Sequence, residues 1–177
     1  MRNIVYLFLL GIILLTIALV VRSGMLARKD PGRPINSAMR AALDAAAPQM
    51  SEADASIIRQ KYATAHRMRS GLLYIERAPG TGKQAPGIGQ EVIVNYEGRL
   101  LDGTKFDSSF DAGAPFTFRL GTGAVIQGWD EAFLTMKKGE KRTLIIPYWL
   151  GYGLTGNPPR IPPRATPVFD VELIDYR

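Results

Sequence analysis

The 177-residue chain contains no cysteine. Disulfides, a thiolate nucleophile, Cys-ligated zinc and a lipid-modified cysteine anchor are excluded together. The same absence suits a reducing or an oxidising compartment and assigns neither. Histidine is almost missing too: His66 stands alone. No Asp/Glu pair accompanies it at a metal-ligand spacing, and no Gly-x-Ser-x-Gly elbow occurs. Neither a metalloenzyme nor a serine hydrolase is expected. A phosphate loop is missing as well. Ala78 to Lys83 resembles the end of one, but Arg77 occupies the place of its first glycine and Gln84 the place of its hydroxyl residue. Pro86-Gly87 then prevents the helix whose N-terminus would receive phosphate, leaving a glycine-rich turn.

What is present begins with a hydrophobic run. Ile4 to Val21 carries no charge and as a helix would span roughly 27 Å at about 1.5 Å per residue, close to a hydrocarbon core of about 30 Å. It is longer than the usual apolar region of a signal peptide, and Arg22 ends it. Residues 1–21 are therefore expected to be a transmembrane anchor or uncleaved signal, cleavage after Ser23 being the alternative. The net charge is +6, with Arg22, Arg28, Lys29 and Arg33 clustered just beyond the run. Such cations sit against anionic headgroups. No basic stripe interleaved with aromatics appears elsewhere, so no nucleic-acid partner is expected. The short basic N-tail favours the exported, periplasmic side for the rest of the chain. The cations beyond the run favour the cytoplasmic face as the alternative.

Residues 22–35 read as a basic linker, broken at Asp30-Pro31-Gly32-Arg33-Pro34. Residues 36–70 read as a helical region. Its first helix runs from Ser37 to Ala47. A second runs from Ser51 to Arg69, with Ser51 as N-cap, Glu52 and Asp54 in the first turn, His66 exposed on it and Gly71 closing it. From Gly71 the apolar period changes to two. Val92, Val94 and Tyr96 alternate with polar neighbours, as do Phe116, Phe118 and Leu120, and Phe169, Val171 and Leu173. Between these strands, Trp129, Phe133 and Met136 form one helical stripe, with Asp130 and Glu131 early, Lys137 and Lys138 late and Gly139 after it. The expected fold is α+β: an antiparallel twisted sheet wrapped on one short helix.

Residues 71–177 resemble an FKBP domain, the macrolide-binding family of peptidyl-prolyl cis–trans isomerases. The resemblance rests on segments in family order: Val92-Ile93-Val94-Asn95-Tyr96-Glu97-Gly98, Asp102-Gly103-Thr104-Lys105-Phe106-Asp107-Ser108-Ser109, Pro115-Phe116-Thr117-Phe118 and Val125-Ile126-Gln127-Gly128-Trp129. Tyr152-Gly153, Ile161-Pro162-Pro163 and Val168-Phe169-Asp170-Val171-Glu172-Leu173 complete them. It implies catalysis of X-Pro rotation without a cofactor or metal, on proline-containing protein or peptide substrates, with macrolide inhibitors. It implies Tyr96, Phe106, Asp107, Trp129, Tyr152 and Phe169 as catalytic residues. It implies Phe116, Val125, Ile126, Arg160 and Ile161 as substrate-binding residues. Trp129 would floor the proline pocket, and the Ile126 N–H and the Tyr152 hydroxyl would bond substrate carbonyls. Asp107 would place a carboxylate near the twisting amide. Ser70-Gly71-Leu72-Leu73-Tyr74 looks like the start of this domain in bacterial exported members, which often carry an N-terminal helical region, sometimes used for dimerisation. Residues 36–70 are thus a candidate homodimer surface. A non-catalytic chaperone or peptide-binding module on a membrane anchor is the alternative function. The chain departs from the family in three places. Pro147 to Tyr152 is one residue longer than usual, Ala112 replaces an arginine near the aspartate, and Arg160 replaces an aliphatic residue at the pocket lip.

Overall fold

A computed structural model describes residues 48–177. The expected anchor, the basic linker and the helix from Ser37 to Ala47 lie outside the described residues. Among the described residues no helix is long and apolar enough to cross a membrane.

The centre of the fold is β3 (Glu91–Arg99), whose alternating Val92 and Val94 are fully buried. Along one edge it pairs antiparallel with β7 (Val168–Tyr176). Its other edge is shared. β5 (Phe116–Arg119) takes its first half and β4 (Lys105–Ser108) its second. Beyond β7 lie β6 (Lys141–Ile145), β2 (Leu73–Ala78) and the two-residue β1 (His66–Arg67). All pairings are antiparallel within one seven-stranded sheet. One face carries the short helix α2 (Gln127–Phe133). Trp129, Phe133 and Met136 meet Val92, Val94, Leu144, Phe169 and Leu173 there in the main core. Burying each such side chain contributes roughly 1.5–3 kcal/mol. Gly128 permits the close approach, because a Cβ there would stand 2.7 Å from Ile146 Cγ2.

A second cluster brings helix α1 (Glu52–Lys61) to the domain. Ile58 packs with Leu73, Leu101, Ile145 and Val168, flanked by Met50, Ile57 and Tyr62. The Ser51 Oγ caps the helix by accepting from the Asp54 N–H at 3.0 Å, and Asp54 Oδ2 accepts from the Thr166 hydroxyl at 2.7 Å. The apolar side of α1 is thus spent on its own domain.

Two helix ends differ from expectation. The helix opened by Ser51 stops at Lys61, not Arg69. His66 and Arg67 instead pair with Tyr74 and Leu73 as an edge strand, and Gly71 turns that hairpin at φ +98°. Sheet hydrogen bonds and burial of Tyr62 and Ala65 outweigh the helix propensity of this stretch. His66 is exposed, but on β1. Likewise α2 ends at Phe133, with no basic residue in its last turn. Met136 reaches the core from the following turn, and Lys137 and Lys138 belong to the connection into β6. Gly139, at φ +82°, donates to the Leu173 carbonyl at 2.7 Å.

Candidate active site

A cavity of about 640 Å³ opens at the end of the sheet where α2 begins. Three strands and the helix supply its aromatic wall. Tyr96 comes from β3, Phe116 from β5, Phe169 from β7 and Trp129 from α2. Trp129 sits among these rings, with centroids 5.0 Å from Tyr96, 5.2 Å from Phe169 and 6.1 Å from Phe116. All three contacts are edge-on, the arrangement favoured by ring quadrupoles. Its indole N–H is the one buried side-chain polar atom without a hydrogen-bond partner among the described residues. Leaving such a group unpaired among apolar rings costs about 1–3 kcal/mol, which the packing of the indole against its ring neighbours offsets.

The polar groups are few and specifically placed. The Tyr96 hydroxyl donates to Asp107 Oδ2 at 2.7 Å, and Asp107 Oδ1 accepts from the Ser108 N–H at 3.0 Å. Burial pushes the Tyr96 phenol well above the ordinary tyrosine range, and the bond to Asp107 and its charge push it further. The Tyr152 phenol is raised too, by burial first and by the Asp107 charge second. Raised values keep both hydroxyls protonated, hence as donors, where free tyrosines ionise. Tyr96 spends its proton on Asp107, whereas the Tyr152 hydroxyl has no partner among the described residues. Ile126 precedes α2 in an extended conformation (φ −61°, ψ 146°). Its carbonyl accepts from the Trp129 and Asp130 N–H groups, while its own N–H meets no acceptor there. Asp130 fixes the loop leading to it. Its carboxylate accepts from the Gly121 and Gly123 N–H groups at 2.8 and 3.2 Å.

The expected residues divide by position. Tyr96, Asp107, Phe116, Val125, Ile126, Trp129, Tyr152 and Phe169 line the cavity. Phe106 stands behind the wall, edge-on to Phe169 at 5.5 Å and to Tyr152 at 6.4 Å. Ile161 is only 2% exposed and lies off the cavity wall. Arg160 lines an adjoining hollow, as does Ala112. The longer segment before Tyr152 is taken up by a 3-10 turn, Tyr148–Leu150, and Tyr152 still reaches the wall. That turn adds a residue the pattern did not mark. Trp149 lines the cavity and donates its indole N–H to the Ser70 carbonyl at 3.0 Å. A bulky aromatic between Pro147 and Gly151 was its only sequence signal. The backbone-lined positions Gly123, Ala124, Gly151 and Gly153 gave none.

This arrangement has known counterparts. Residues 82–174 match the family described as FKBP-type peptidyl-prolyl cis-trans isomerase. Peptidyl-prolyl cis-trans isomerase FKBP4 of Bos taurus is 50% identical over 107 residues, 60% of this chain but 23% of that protein. The chain thus spans under a quarter of the length of that relative. The crystal structure of AtFKBP13 superposes with a TM-score of 0.62 at 38% identity, covering 64% of this chain and 98% of the other. FkpA from Escherichia coli gives 0.64 at 41% identity, covering 80% of this chain and 65% of the other. The chain belongs to the FKBP-type peptidyl-prolyl cis–trans isomerase family.

Proposed function

We propose that this chain isomerises X-Pro bonds in other polypeptides, with the aromatic cavity as the proline pocket. The observation that carries the reading is the pairing of a ring-walled cavity with two donors at its wall, the Tyr152 hydroxyl and the Ile126 N–H, that are unspent among the described residues. X-Pro rotation breaks amide resonance, and the peptide barrier is about 18–20 kcal/mol. The reaction needs no nucleophile and no net proton transfer, only tighter binding of the twisted amide than of the planar one. At the twist the carbonyl oxygen loses the charge that nitrogen had donated, so an apolar surround penalises the transition state less than the ground state. Trp129 and Phe169 provide the surface for the proline ring. Tyr152 and Ile126 hold flanking carbonyls, which fixes the chain on either side of the rotating bond. Asp107 sets a single carboxylate, oriented by Tyr96, beside that bond.

The full chain in detergent should accelerate cis-to-trans conversion of a Leu-Pro peptide, and a macrolide of the kind this family binds should inhibit it. Tyr152→Phe should lower kcat/KM by no more than about tenfold, since one neutral hydrogen bond contributes about 0.5–1.5 kcal/mol. Its melting temperature should stay near that of the parent, as the hydroxyl has no partner among the described residues. A folded chain that leaves the uncatalysed rate unchanged would defeat the isomerase reading and favour a peptide-holding module.

We further propose that the uncharged run Ile4–Val21 tethers the domain to a membrane, with the domain on the exported side. The length of the run and the arginine that ends it support the tether, and the short basic N-tail supports the exported side. The protein should stay with the membrane pellet through an alkaline carbonate wash. Recovery of a soluble chain beginning near Gly24 would show a cleaved signal instead.

A further inference from the structure

The concavity does not end at the proline pocket. A second hollow of about 620 Å³ lies on the other side of Asp107, which lines both. Lys105, Phe106, Asp111, Pro159 and Arg160 contribute to its wall. Phe106 marks the boundary, since its ring also meets Tyr152 of the first cavity edge-on. A polypeptide seated by its proline in the first cavity therefore has a path past Asp107 into the second. Adjacent residues of an extended chain advance about 3.3–3.6 Å each, and since Asp107 lines both hollows the residues next to the proline are the ones placed to enter the second.

The charges of this hollow are not equally available. Lys105 Nζ is held by Asp111 Oδ2 at 2.6 Å. Asp107 accepts from the Tyr96 hydroxyl and the Ser108 N–H. Arg160 has neither a hydrogen-bond acceptor nor an ion-pair partner among the described residues, though it is exposed on the wall. Its backbone is nevertheless held. Pro158 and Pro159 precede it with restricted φ. Ile161 follows it, buried and bonded to Asn157 in both directions, N–H to carbonyl at 2.8 and 3.0 Å. A guanidinium presented from a fixed backbone, next to a cavity and without an acceptor, is suited to a bidentate carboxylate partner.

We infer that the second hollow is a subsite for the chain flanking the isomerised proline, and that Arg160 selects segments carrying aspartate or glutamate there. This rests on the isomerase reading of the adjoining cavity. The preference is small because the pair is exposed and Asp107 repels an incoming carboxylate. About two- to fivefold in kcat/KM is expected, the range of an exposed ion pair, and salt should shrink it.

The test compares peptides with Glu, Gln or Lys at single positions within three residues on either side of a Leu-Pro bond, at low and high salt. At one or more positions the wild type should turn over the Glu peptide about two- to fivefold faster than its Gln partner. Arg160→Ile should bring that ratio to about one, and Arg160→Glu should shift preference to the Lys peptide. Ratios cancel any general loss of turnover in the variants. A Glu-to-Gln ratio equal in wild type and Arg160→Ile at every position would overturn the proposal. Should no peptide be accelerated, the isomerase reading falls by itself. The subsite is then judged by the same ratios in peptide Kd, and an Arg160-independent ratio there would overturn it too.

Discussion

Trp129→Ala is expected to destabilise the domain by about 3–5 kcal/mol and to remove nearly all isomerase activity. The side chain is 4% exposed and touches rings from three strands and its own helix, including Phe118 at 5.7 Å and Phe133 at 5.6 Å. Alanine would leave a void that these neighbours cannot fill together, because each is anchored to a different element. The same void deletes the floor of the proline pocket, so stability and turnover should fall together. Trp129→Phe separates the two effects. It keeps a ring in place and discards the unpartnered indole N–H, which offsets part of the lost packing. Its stability loss should be well under half that of the alanine variant, with measurable turnover retained. Denaturant midpoints and a peptide assay on the two variants are sufficient. An alanine variant within about 1 kcal/mol of wild type would contradict the role of Trp129 as the keystone of the ring cluster.

Legibility from sequence followed the range of the forces involved. The alternation in Val92, Val94 and Tyr96 is a local consequence of one face turned inward, and β3 appears where it was expected. The Ser51 cap is equally local, and its hydrogen bond to the Asp54 N–H is present. The far ends of both helices fall short of what local pattern predicts because distant partners decide them. Residues 66–67 are drawn onto β2 by pairing with Tyr74 and Leu73, and the chain after Phe133 turns so that Gly139 can bond to Leu173. The ring wall of the cavity was legible through family resemblance, since strand pattern alone makes Phe116, Phe118 and Phe169 equivalent core positions. Phe118 proved to be core, while Phe116 is 39% exposed at the cavity. Trp149 is oriented by a tertiary bond to Ser70, which local pattern does not show. Arg160 lies on the wall of the adjoining hollow, and its lack of a partner among the described residues is a tertiary matter that no local pattern shows, the nearby Asp111 carboxylate being taken by Lys105.

Gly98→Ala should damage the site from within the sheet. Gly98 stands in β3 opposite Asp107 on one edge and Phe169 on the other, so two residues of the site flank it across hydrogen-bonded strands. A Cβ at this position would lie 2.7 Å from Phe169 Cε1 and 2.8 Å from two carbons of the Phe106 ring. Phe106 is half-buried and can retreat towards solvent. Phe169 is 2% exposed and locked against Trp129, so it can yield only by displacing the pocket floor. Overpacking of this kind costs about 1–3 kcal/mol. A displacement on the order of 1 Å at a reacting centre can cost about a hundredfold in rate. The expected result is therefore a modest fall in stability and a loss of kcat/KM on the order of a hundredfold. Phe106→Leu removes one of the two clashing rings, so the alanine substitution should cost less stability in that background than in the wild type. If Gly98→Ala keeps both wild-type stability and wild-type turnover, the two rings move freely, and β3 does not set the shape of the pocket through this glycine.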